Sequence, residues 1–97
     1  MDAPFLMSPD IRWVRQDTHF ATQVQDETVV ISLETNCYYG FGRVGSRIWE
    51  LLAQPIDFGS LCARLQQEYK VDEATCKEDT IPFLQQLWQE RLIVRVE

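Results

Sequence analysis

The hydrophobic period of this chain changes once, at Gly42, and that switch restricts the fold more than any other feature. Before it, apolar residues alternate or cluster in short β-branched runs. His19–Gln25 sets Phe20, Thr22 and Val24 on one side, Thr28–Leu33 reads TVVISL, and Cys37–Phe41 reads CYYGF. Such runs fit a pleated, half-buried surface. The breaks between them, Asp26-Glu27 and Glu34-Thr35-Asn36, are short and polar, which favours an antiparallel meander. After Gly42 the spacing is helical. Val44, Ile48, Leu51 and Leu52 predict a helix over 45–53, ended by Pro55. Asp57 is placed to cap a second helix with the stripe Phe58, Leu61, Cys62, Leu65 and Tyr69. A third helix spans about 73–90 with Ile81, Leu84, Leu87 and Trp88 as its apolar residues. Pro82 falls inside it, which predicts either a kink or a preliminary turn over 73–78 leading into a helix capped by Asp79 or Thr80.

Strands first and helices after predict an α+β domain: a three-stranded antiparallel sheet packed on a three-helix, winged-helix-turn-helix-like bundle. Residues 1–10 carry two prolines and no period, and read as a flexible N-terminal segment ahead of a domain over 11–97. Ile11–Arg15 reads as a short strand or an extended arm, and Leu92–Val96 as a β-like tail.

Composition removes whole classes of function. Ninety-seven residues fit one domain. Nine basic against fifteen acidic side chains, a net charge of −6, oppose nonspecific nucleic-acid binding. No apolar run approaches the ~18–20 residues of a membrane span, and no signal-peptide pattern opens the chain. The three cysteines, Cys37, Cys62 and Cys76, lie far apart without a CxxC or Cys/His cluster. They predict neither a disulfide framework nor a metal site, and read as small buried or half-buried hydrophobes in a reducing cytoplasm.

Catalysis finds little purchase. The single histidine, His19, has no carboxylate at useful spacing, so neither an enzyme nor a cofactor is expected. Gly40-Phe-Gly42-Arg-Val-Gly45 matches GxGxxG after a strand and before a helix, but no parallel strand and acidic residue follow. The glycines are expected instead to serve a tight turn with positive φ. A winged-helix DNA-binding regulator is the alternative from another class. Its recognition helix would carry Lys77, Gln85, Gln86, Gln89 and Arg91, diluted by Glu78, Asp79 and Glu90. A third option is a small subunit that pairs its sheet edge with a second copy.

Aromatic residues are dense for so small a domain: Tyr38, Tyr39, Phe41, Phe83 and Trp88. Part of this set builds the core. A strand edge with unpaired N–H and C=O groups also receives partners. A peptide adding to 37–41 would gain main-chain hydrogen bonds, with alternate side chains entering pockets walled by Phe83, Leu87 and Trp88.

Thr28–Trp49 (TVVISLETNCYYGFGRVGSRIW), followed by EYKVD at Glu68–Asp72, Asp79, Phe83-Leu84 and Arg91-Leu92-Ile93, resembles the PqqD-like family over roughly residues 20–95. The YY…IW version is most similar to the standalone leader-binding proteins of lasso-peptide pathways. The resemblance implies a non-catalytic recognition element for ribosomally made, modified peptides. Its partners would be a precursor leader peptide and a leader peptidase with its cyclase, or, in the pyrroloquinoline-quinone branch, a radical-SAM enzyme. A monomer or weak dimer, binding no nucleic acid and no membrane, is expected. The leader would dock as an extra strand between Cys37–Phe41 and the third helix. Carried over, its contacts are Cys37, Tyr38, Tyr39, Gly40, Phe41, Phe83, Leu84, Leu87, Trp88 and Arg91. Truncating Trp88 or Tyr38 in such a pocket should cost about 2 kcal/mol of binding. Three departures stand out: Phe41-Gly42 where Leu-Asn is usual, Pro82 in the third helix, and Arg91 where a glycine is common. Arg91 is thereby expected to contact an acidic leader residue.

Overall fold

The computed structural model describes residues 4–16, 19–25, 27–32 and 37–96. A 3-10 turn (Pro4–Met7) precedes β1 (Arg12–Arg15), β2 (His19–Val24), β3 (Glu27–Ser32), β4 (Tyr38–Phe41) and α1 (Arg43–Leu51). Then come β5 (Ile56–Asp57), α2 (Phe58–Glu68), α3 (Glu73–Gln89) and β6 (Ile93–Val96).

The expected meander is present as an antiparallel sheet in the order β2-β3-β4. Val24 faces Glu27, so the first hairpin turns on two residues. Gln25 takes a φ of 61°, the positive value that primed hairpin turns need. The expected turn at 34–36, Asp26, and the side chains of His19 and Phe20 lie outside the described residues. On β3, Thr28, Val30 and Ser32 are buried and alternate with more exposed neighbours, the period-two pattern of a sheet covered on one face. α1 covers that face with Ser46, Ile48 and Trp49.

The two segments read as arm and tail meet in a second sheet, ordered β5-β1-β6, with β1 in the middle. Trp13 on β1 is fully buried and meets the Trp88 ring edge-on at 5.2 Å. Of the segment over 1–10 read as flexible, the structure describes Pro4 onward. Leu6 is fully buried and its turn packs against α2 and α3, so burying one leucine ties the segment down.

Asp57 caps α2 as expected, accepting from Ser60 N at 3.0 Å. Asp72 caps α3, accepting from Thr75 N at 2.8 Å. α3 therefore runs unbroken past Pro82, and the cap at Asp79 or Thr80 is not used. Thr80 is instead buried beside Cys76. The end of α3 is a Schellman closure: Leu92 N donates to Leu87 O at 2.9 Å and Arg91 N to Trp88 O at 3.1 Å. Arg91 holds a φ of 60° there. Arg47 joins α1 to α2 through a two-pronged contact with Glu68, at 2.7 and 2.8 Å, and a third hydrogen bond to Glu50. Its neighbouring carboxylates raise the guanidinium's pKa, chiefly through the Glu68 bond, and that bond lowers the pKa of Glu68. Among the described residues, no helix is long and apolar enough to cross a membrane.

Candidate functional site: an open strand edge beside an apolar groove

β4 is the last strand of its sheet, so among the described residues nothing pairs with its outer margin. The two terminal strands, the segments best placed to cap that margin, are engaged with each other in the second sheet. Ser32 N donates to Cys37 O at 3.0 Å, which fixes the phase of the ladder. Antiparallel alternation then turns the main-chain groups of Tyr38 and Gly40 outward. A methyl group placed on Gly40 would meet nothing within 4 Å, so space over the strand is open there.

Between β4 and α3 lies a groove of about 470 Å³. Its helical wall is one stripe at i, i+3, i+4 and i+7: Phe83, Gln86, Leu87 and Glu90. Tyr39, Phe41 and Leu92 complete the lining with Gly40, Gly42 and Gly45. The Phe41 and Phe83 rings meet edge to face at 5.2 Å. Gly45 makes this possible, because a Cβ there would stand 3.2 Å from both Phe41 Cβ and Phe83 Cζ. The glycines were expected to supply positive φ, but none does, and Gly42 sits at −67°. What Gly45 supplies is close approach of a ring to a helix backbone.

Two hydrogen-bonded braces hold the walls. The buried Ser46 hydroxyl accepts from Thr28 N at 2.8 Å and donates to Phe41 O at 3.0 Å, linking α1 to the paired ends of β3 and β4. Across the mouth, the Tyr39 hydroxyl donates to Glu90 Oε2 at 2.9 Å.

Of the residues expected from the sequence, Tyr39, Gly40, Phe41, Phe83 and Leu87 come together in this groove. Cys37 and Tyr38 lie at the start of the same edge, both exposed, Tyr38 at 77%. Leu84 is fully buried in the core. Trp88 lies on another side of α3, against Trp13, and lines a separate depression with Arg91. Gly42, Gly45, Gln86, Glu90 and Leu92 were not anticipated. Helical spacing from Phe83 reaches Gln86 and Glu90, but their polarity gives no local sign of a pocket wall.

The cysteines divide. Cys62 and Cys76 are buried, and burial, reinforced by Cys76, pushes the Cys62 thiol up to about 12, which keeps it protonated and inert. Cys37 is exposed, contrary to the expectation of a buried or half-buried residue. Among the described residues, no three His, Cys, Asp or Glu side chains are grouped to hold a metal ion.

An α+β frame whose strand margin is unpaired among the described residues, beside a groove, is an arrangement to which an extended segment can add. The chain belongs to the PqqD family, matching coenzyme PQQ synthesis protein D (PqqD) over residues 27–93. It is also similar to TbiB1, solved in complex with the TbiA(beta) leader peptide: 32% identity, a TM-score of 0.75, and coverage of 82% of this chain and 93% of that one. Lasso peptide synthetase B1 complexed with the leader peptide shares the fold at 13% identity and a TM-score of 0.73, covering 84% of this chain and 96% of that one. No curated protein sequence matches the chain.

Proposed function

We propose that this protein is a non-catalytic adaptor that binds the leader segment of a ribosomally made precursor peptide as a further strand on β4. The observation that carries this reading is the open β4 margin lying directly over the groove. Outward main-chain groups at Tyr38 and Gly40 supply generic affinity, and apolar leader side chains entering between Tyr39, Phe41, Phe83 and Leu87 supply selectivity. Micromolar to nanomolar binding, about −8 to −12 kcal/mol, suits one short strand with two or three anchors. The likeness to TbiB1 supports a lasso-type pathway, in which the bound leader is presented to a leader peptidase and its cyclase in the cytoplasm. Service to a radical-SAM enzyme, as in the pyrroloquinoline-quinone branch, is the second reading, and the PqqD match favours it. DNA binding is set aside: the exposed edge of the groove on α3 carries Gln86 and Glu90 rather than cations.

The test is titration of the protein with a synthetic precursor leader peptide, followed by calorimetry and by amide resonances. Saturable heat, with shifts concentrated in 38–42 and 83–92, is expected. Absence of both at saturating peptide rejects the adaptor reading.

A further inference from the structure

The adaptor reading leaves open which leader chemistry the groove selects, and the groove's charge answers that question. Glu90 is the one charged residue among the described lining residues. Its neighbours on the wall are an amide, Gln86, and the apolar Phe83, Leu87 and Leu92. Three other glutamates of the helices have cations at hand: Glu50 and Glu68 contact Arg47, and Glu73 contacts Lys77. Glu90 is half-buried, and its contact among the described residues is the neutral Tyr39 hydroxyl, on Oε2. That bond orients the carboxylate across the mouth and leaves Oε1 with its acceptor capacity unused.

A strand laid along β4 would cover this mouth and remove water from the carboxylate. Covering a charge without a partner is strongly unfavourable, whereas covering it with an opposite charge and a hydrogen bond is not. We propose that Glu90, held by Tyr39, makes the groove selective for a leader segment that places a lysine or arginine beside its apolar anchors. The long-range field acts in the same direction, since a net charge of −6 draws a cationic segment in and slows an acidic one. The expected cationic role of Arg91 toward an acidic leader residue gives way to the reverse polarity one position earlier. Arg91 is not part of the groove lining, and its backbone is committed to closing α3.

This inference rests on strand addition to β4, and the experiment separates the two. The full-length protein and its Glu90→Gln variant are titrated with the natural leader and with leaders in which each Lys or Arg is replaced in turn by glutamine. Glutamine at 90 can still accept the Tyr39 hydrogen bond, and an unchanged Tyr39 amide resonance verifies that the wall is intact. Glu90→Gln is expected to weaken the natural leader by about ten- to a hundredfold, the scale of a charge-assisted hydrogen bond. One leader replacement should do the same, with little further loss when the two are combined. Glu90→Lys should recover binding to a leader bearing glutamate at that one position. If the natural leader binds with amide shifts along β4 but neither Glu90→Gln nor any leader replacement alters affinity, strand addition survives and the charge selectivity is refuted. A leader that fails to bind at all overturns both.

Discussion

Arg91 sits in a backbone conformation that costs most residues about 1–2 kcal/mol and costs glycine almost nothing. Its side chain is exposed. Arg91→Gly should therefore stabilise the fold by about 0.5–1 kcal/mol, after allowance for the freer unfolded chain, as read by urea denaturation. A fall in midpoint would show that the arginine side chain matters more than its backbone. The physical content of the departure expected at Arg91 is a helix closure. The resemblance and the arginine's charge together made Arg91 look like a ligand contact. In the same way, Gln86 and Glu90 did not read as a groove wall, because polar residues within an amphipathic helix read as solvated face. Whether such a residue meets water or a groove depends on what lies opposite, which local spacing does not encode.

Elements were more legible than residues. The meander and the three helices follow from period and caps, and their order survives intact. The second sheet does not. β5 has two residues, and β1 and β6 have four each with weak alternation. The extended character of β1 and β6 is legible, but their pairing joins distant parts of the chain and leaves no local signature. Its anchor is the contact between Trp13 and Trp88, which changes the role expected for Trp88. Trp88→Ala should lower unfolding free energy by about 2 kcal/mol or more, since it strips the buried indole of β1 of its edge-on neighbour. Leader affinity of the folded variant should be nearly unchanged, measured at a temperature well below its melting point. A loss of affinity without loss of stability would return Trp88 to the groove. Pro82 raises a similar point about elements. A cap at Asp72 and tertiary packing of Cys76, Leu84 and Leu87 carry α3 through a residue that ordinarily ends a helix.

At the scale of the whole molecule, acid should act on the helix starts together. The Asp57 carboxyl lies below its ordinary value, first through the Ser60 hydroxyl, and Asp72 likewise through Thr75. A carboxyl whose native pKa is depressed adds stability that is complete above its unfolded value, near 4, and is lost as pH falls through the native one. Denaturation midpoints should thus hold steady from neutrality down to about pH 5 and decline below about pH 4. A protein with asparagine at both positions keeps serviceable caps and should show a shallower decline. An equally steep decline would assign the acid sensitivity elsewhere, the Arg47–Glu68 contact being next in line.

The pairing of β1 with β6 also governs how the molecule joins to anything else. Arg12 lies opposite Val96, so the first and last strands run side by side, about 5 Å apart. A tether added after β6 emerges beside β1, while the β4 margin belongs to the other sheet. An attachment made after β6 is thus carried by one sheet, and the open margin by the other.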